Sequence, residues 1–205
     1  MNLTYLALGD SYTMGEGVML TETFPYQATE LLREKNIQIS AAEIIAKTGW
    51  TTDELNDAIQ QHTFLTGYDF VSLLIGVNNQ YRGRVVENFA EEFEILLKKA
   101  IGFCKNKPAN VFVLSIPDWG KTPFANGKDL KKIEDEINAF NDVCKMVSDK
   151  YDCTYIDVTD SQRKNAGNAE YLSADGLHPS AKEYSKWAKI LSEKIIELHS
   201  AESGQ

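Results

Sequence analysis

The chain has 205 residues, 43% of them hydrophobic and 25% charged. These proportions are those of a globular protein and exclude a disordered tract, a collagen-like repeat or a long coiled coil. The length suits one domain over residues 1–205, which buries roughly 70% of the surface of its unfolded chain and needs no metal or disulfide staple to fold. Acidic residues outnumber basic ones by 30 to 21, for a net charge of −9. With no basic cluster to offset that charge, nucleic acid or an anionic membrane is disfavoured as a main partner.

The three cysteines stand at 104, 144 and 153. Their spacing matches neither a zinc pattern nor Cys-x-x-Cys. Cys104 and Cys144 fall within apolar helical patterns and read as buried thiols, which suits a reducing compartment. Residues 1–10 lack the basic start and the apolar run of a signal peptide. No stretch reaches the ~18 apolar residues of a membrane span. A cytoplasmic location is the default expectation, and a processed secreted or periplasmic form would read the same.

In chain order, the first strand is expected at 5–8. Phe24-Pro25-Tyr26 opens a helix with proline in its first turn. A second strand follows at 43–46, and Thr51-x-x-Glu54 is a capping box that opens the next helix. The third strand covers 70–75. Over 87–104, Phe89, Phe93, Leu96, Leu97, Ala100 and Ile101 share one helical stripe. The fourth strand covers 111–116, and Leu130, Ile133, Ile137, Phe140, Cys144 and Val147 then recur at helical spacing. The fifth strand is 154–158. A second capping box, Ser180-x-x-Glu183, precedes a helix carrying Tyr184, Trp187, Leu191, Ile195 and Leu198 on one side.

The strands are short, apolar on both faces and rich in Val and Ile, as buried parallel strands are. Their alternation with helices predicts an α/β architecture with right-handed crossovers. Residues 117–128 and 159–177 read as long irregular stretches, and such loops are usually functional. The tail at 199–205 is expected to fray.

In open α/β sheets, ligands bind beyond the carboxyl ends of the strands. Gly9-Asp10-Ser11 follows the first strand, Gly49 the second, Gly76-Val77-Asn78 the third, and Asp175-Gly176-Leu177-His178 precedes the last helix. Ser11, at a strand–helix junction, is a nucleophile candidate or a plain N-cap. The spacing of Asp175 and His178 lets a carboxylate orient an imidazole, or merely closes a loop with a hydrogen bond. Gly49 offers a backbone N–H and Asn78 an amide, the neutral donors that a developing oxyanion needs. Each is equally at home in a turn. Neither Gly-x-x-x-x-Gly-Lys-Ser/Thr nor Gly-x-Gly-x-x-Gly occurs, so a phosphate-binding loop has no support.

These four blocks, in this order, resemble those of the SGNH hydrolases, the GDSL esterase/lipase family, over nearly the whole chain. The resemblance implies a three-layer α/β/α sandwich with a five-stranded parallel sheet, the flavodoxin-like SGNH hydrolase fold. It implies Ser11 as nucleophile, His178 as general base and Asp175 as its orienting partner. The Ser11 N–H, the Gly49 N–H and the Asn78 side chain would form the oxyanion hole. No metal or organic cofactor is implied. The family's third block usually reads Gly-x-Asn-Asp, and Asn79 stands here in place of the acid. A change in loop anchoring is expected from it, with the chemistry kept.

The expected reaction is hydrolysis of a small-molecule carboxylic ester, with a short acyl group or an acetylated carbohydrate as substrate. Longer acyl chains, as in a lysophospholipase or thioesterase, are the alternative. Trp50, Tyr81, Arg82, Trp119, Phe124, Tyr171 and Leu177 are candidates for the rim of a shallow cleft, Trp50 and Tyr81 foremost. Two rival readings differ in class: a non-catalytic binding module on the same fold, and a metal-dependent phosphoesterase using Asp10, Asp118, Asp175 and His178.

Overall fold

The structure, a computed structural model, describes residues 2–203. Five strands form one sheet: β1 (Tyr5–Gly9), β2 (Glu43–Ala46), β3 (Phe70–Leu74), β4 (Val111–Leu114) and β5 (Thr154–Ile156). Every pairing is parallel and the order is β2-β1-β3-β4-β5. β1, β3 and β4 are buried along their whole length, while the edge strand β2 is only half-buried. This is why the inner strands read as unbroken apolar runs. Within the sheet, the Tyr5 hydroxyl and Ser72 Oγ satisfy each other at 2.7 Å.

The helices are α1 (Ser11–Met14), α2 (Phe24–Glu34), α3 (Thr52–Gln61), α4 (Val77–Tyr81), α5 (Val86–Phe103), α6 (Leu130–Lys150), α7 (Thr159–Asn165) and α8 (Ala181–Ser203). α2 packs against α8, whereas α3, α5 and α6 pack in series as a second group. Most of each long stripe on α5 and α6 is buried as the periodicity predicts, but Leu130, at the very start of α6, is 49% exposed and Ile101 is only half-buried; Cys104 and Cys144 lie in the core. Among the described residues no helix is long and apolar enough to cross a membrane. From β1 the chain runs outward to β2, and from β3 it proceeds the other way to β4 and β5. The turns after β1 and β3 therefore diverge at the switch point of the sheet, where such folds open a crevice.

Several boundaries differ from the expectation. β4 ends at Leu114 because the Ile116 N–H and carbonyl both bond the Asn141 side chain, at 2.7 and 3.0 Å. β5 ends at Ile156, and beyond it the Ser115 hydroxyl accepts the N–H groups of Val158 and Thr159. The stretch 159–177 holds α7 and a 3-10 turn at Ala169–Tyr171, and 117–128 holds two further turns, Trp119–Lys121 and Pro123–Ala125. α7 reads TDSQRKN and has no apolar stripe to betray it. Asp157 Oδ1 starts it by accepting the Thr159 and Asp160 N–H groups.

The Thr51 box forms on its acidic side, with the Thr51 N–H donating to Glu54 Oε2 at 2.8 Å. The Ser180 box does not form. The Ser180 N–H donates to the Tyr171 carbonyl, and Glu183 turns inward to accept from Ser161, Asn165 and Trp187. α8 continues past 199 to Ser203; residues 204 and 205 lie outside the described residues.

Candidate active site

β1 delivers Gly9-Asp10-Ser11 to the switch point. Gly9 has no room for a side chain, because an added Cβ would collide with Thr13 and with the Leu74 carbonyl. Asp10 caps α1 by accepting the Tyr12 N–H at 3.0 Å. Its second oxygen is buried without a partner, and burial pushes the carboxyl up to about 7. Ser11 then opens α1 with its hydroxyl facing a cleft.

The loop before α8 supplies the other two polar groups. Asp175 Oδ1 accepts from the Ser173 hydroxyl and from the N–H groups of Leu177 and His178, at 2.7, 2.9 and 3.0 Å. Its Oδ2 lies 2.6 Å from His178 Nδ1. His178 Nε2 lies 2.9 Å from Ser11 Oγ. Burial alone would raise the Asp175 carboxyl, but the hydrogen bonds from His178, Ser173 and the backbone outweigh it and hold the group well below the ordinary carboxylate range. Asp175 is thus an anion aimed at the imidazole, an arrangement in which Nδ1 carries the proton and Nε2 is the hydrogen-bond acceptor facing the Ser11 hydroxyl. Ser11 and His178 are buried, and the Tyr12 ring lies 5.5 Å from the imidazole.

Ser11, Gly49 and Asn78 line the same cleft. The N–H groups of Ser11 and Gly49 have no protein acceptor among the described residues. Gly49 sits at φ +87°, a left-handed conformation that glycine adopts at little cost. Asn78 is the second residue of α4, and its amide donates one N–H to the Trp50 carbonyl at 2.9 Å. That bond leaves the second amide hydrogen without a protein acceptor among the described residues. The Gly49 carbonyl is held from behind by Arg82 Nη2 at 2.6 Å.

The neighbouring Asn79 points the other way and is wholly buried. It accepts the Thr52 N–H at 3.1 Å and donates to the Thr52 hydroxyl at 2.6 Å, with Glu92 Oε2 at 3.5 Å. Asn79 therefore ties the start of α4 to the start of α3.

The cleft holds about 170 Å³. A cavity of roughly 150 Å³ takes a benzene molecule, so this one takes a group about the size of a single ring. Ser11, Gly49, Asn78 and His178 form its polar end, and Tyr81, Trp119, Phe124 and Leu177 its apolar wall. Trp119 is buried and fixed, at 5.3 Å from Tyr81 and 6.0 Å from Phe124, ring centre to ring centre.

Of the rim candidates, Trp50, Arg82 and Tyr171 do not line the cleft. Trp50 packs on the core and offers only its carbonyl to Asn78. Arg82 is drawn back to Gly49 and to Glu54. Tyr171 lies beneath the ammonium groups of Lys182 and Lys186. Conversely, Tyr12, Thr48 and Val77 line the cleft without having been expected. Each is the immediate neighbour of Ser11, Gly49 or Asn78, and that adjacency was the available signal. The set Asp10, Asp118, Asp175 and His178 does not gather. Asp118 is bound to Arg163 at 2.9 Å and to the Gly120 N–H, and among the described residues no three His, Cys, Asp or Glu side chains converge as ion ligands.

Comparison with known structures places this fold. A lipase/acylhydrolase from Enterococcus faecalis superposes with a TM-score of 0.72 at 19% identity, covering 94% of this chain and 95% of that one. The acetylxylan esterase Axe2 from Geobacillus stearothermophilus gives 0.71 at 15% identity, with 94% of each chain covered. The esterase EstA from Pseudoalteromonas sp. gives 0.66 at 16% identity over the full length of both. At these identities the likeness is one of fold. No curated protein matches in sequence. The sequence profile of the GDSL-like lipase/acylhydrolase family, however, matches residues 7–186, a span that begins inside β1, ends inside α8 and takes in every block of the cleft's polar end. On that match the chain belongs to the GDSL-like lipase/acylhydrolase family of ester-hydrolysing enzymes.

Proposed function

We propose that the protein is a serine esterase that hydrolyses carboxylic esters through an acyl-enzyme, acting on short acyl groups or on acetylated carbohydrates. The observation that carries this reading is the unbroken line from Asp175 through His178 to Ser11 Oγ, facing three hydrogen-bond donors across a ring-sized cleft.

In this reading Ser11 Oγ attacks the ester carbonyl as His178 Nε2 takes its proton. The carbonyl oxygen becomes an oxyanion, held by the N–H groups of Ser11 and Gly49 and by Asn78 Nδ2. Asp175 stabilises the imidazolium so formed. His178 then gives the proton to the departing alkoxide, which leaves as the alcohol. A water enters, His178 removes its proton, and attack on the acyl-enzyme releases the acid and restores Ser11.

Cleft size supports the short-chain preference. A space for one ring accepts acetyl, butyryl or part of a sugar, whereas a long alkyl chain must run out past Tyr81 and Phe124, which are both exposed. The test is a p-nitrophenyl ester series from acetate to palmitate, run beside Ser11→Ala and beside labelling with a fluorophosphonate. Turnover of acetate and butyrate that falls with chain length, with labelling, and with both lost in Ser11→Ala, is expected. Rates that climb with chain length overturn the short-chain preference in favour of lysophospholipids or thioesters. A folded protein that neither labels nor turns over any ester overturns the enzyme reading and leaves a binding module.

A further inference from the structure

Trp119 forms the wall of the cleft, yet the loop that carries it is held elsewhere. The Asp118 main chain exchanges two hydrogen bonds with Gln162 of α7, at 3.0 and 3.1 Å, and the Asp118 carboxylate binds Arg163. The indole itself has one polar tether: Trp119 Nε1 donates to Gln80 Oε1 at 2.7 Å. Gln80 is buried on α4, two residues after Asn78. Its Nε2 in turn donates to Glu136 Oε2 on α6, also at 2.7 Å.

This order is fixed by chemistry. An ionised carboxylate only accepts, so Glu136 compels the Gln80 amide to present its NH₂ to α6 and its carbonyl to the indole. Without Glu136 the Gln80 NH₂ loses its acceptor and the amide is held by the indole alone, so the orientation that the two partners enforce together is weakened; a flipped amide sets two donors against each other at Trp119. Glu136 does not line the cleft, is half-exposed, and among the described residues otherwise faces only Lys132 at 3.7 Å.

Building on the esterase reading, we infer that Gln80 and Glu136 are positioning residues that hold Trp119 as the substrate-binding wall of the cleft. Glu136 acts through the orientation of the Gln80 amide. The relay joins α4, which carries the oxyanion donor Asn78, to the wall that grips the remainder of the ester.

The test compares Gln80→Leu, Glu136→Ala and Glu136→Gln. With p-nitrophenyl acetate, Gln80→Leu and Glu136→Ala raise KM by about tenfold, the worth of one buried hydrogen bond to a donor left unpaired, with kcat within threefold. Glu136→Gln keeps an acceptor for Gln80 Nε2 and returns KM to within about twofold of the parent. An independent arm reads the indole hydrogen by NMR, its signal assigned by its loss in Trp119→Phe. Exchange with solvent speeds about tenfold in Glu136→Ala and stays slow in Glu136→Gln. Glu136→Ala with parental KM and parental exchange overturns the relay, as does Glu136→Gln behaving like Glu136→Ala. Absence of ester turnover overturns the enzyme reading alone, and the exchange measurement then decides the relay.

Discussion

The asparagine at position 79, where the family usually carries aspartate, can be tested by restoring the acid. Asn79 is buried between α3 and α4, with Glu92 Oε2 3.5 Å from its amide nitrogen. Glu92 also accepts from the Thr52 hydroxyl and lies 3.7 Å from Arg84. Asn79→Asp replaces that NH₂ by a carboxylate oxygen and sets two anions face to face. At 3.5 Å and an effective dielectric constant of 20 the repulsion is about 5 kcal/mol. The Glu92 side chain is 34% exposed, and screening by water with help from Arg84 cuts the cost to about 2 kcal/mol. The variant also loses the donor to Thr52.

For a chain of this size, about 2 kcal/mol lowers Tm by roughly 4–8 °C. The assay is urea unfolding of parent and variant at pH 8 and at pH 5. The deficit is expected to be larger at pH 8, because two neighbouring carboxyls can share a proton in acid. Glu92→Gln added to Asn79→Asp should recover most of the loss. An Asn79→Asp protein as stable as the parent at pH 8, or a deficit that Glu92→Gln leaves untouched, refutes the argument that Glu92 is the reason this chain carries an amide at 79.

Two further outcomes follow from the site. Asn78→Ala removes one oxyanion donor and should lower kcat by about 10²–10³ with little change in KM, measured on the best p-nitrophenyl ester; a loss under tenfold excludes Asn78 from that role. Asp10, pushed up to about 7 by burial, holds its proton more tightly in the folded chain than in the unfolded one, where its ordinary value is 3.8. The stability it contributes is therefore complete below about pH 4 and is lost as pH rises toward 7, by about 4 kcal/mol over some three pH units. Asp10→Asn should lack that decline, so its unfolding free energy gains on the parent across the interval, and parallel pH profiles would contradict the burial argument.

Much of the fold was legible because its signals are local or periodic. The inner strands are buried on both faces, so their apolar runs stand out, and the stripes on α5 and α6 mark the faces that pack. α7 was invisible for the opposite reason: its start is set by Asp157 and by a serine hydroxyl from the end of β4. The Ser180 box failed on competition: the Tyr171 carbonyl takes the Ser180 N–H, and Ser161 and Asn165 of α7 together with Trp187 take the Glu183 carboxylate.

The site divides in the same way. The residues proposed for chemistry sit at strand ends in short blocks, and block order and residue type are properties of the sequence. Arg82 and Trp50 look like rim residues along the chain, but only three dimensions show a guanidinium drawn back to the Gly49 carbonyl and a half-buried Trp50 packed against the core. The sequence by itself determined the alternation of elements, the family and the identity of the chemical groups, because periodicity and motif spacing are read along one dimension. The tertiary structure alone decided the size of the cleft, the carboxylate that faces Asn79, and the Glu136–Gln80–Trp119 hydrogen-bond chain. Each of these depends on side chains brought together from well-separated elements, and nothing in the local pattern fixes which of them meet.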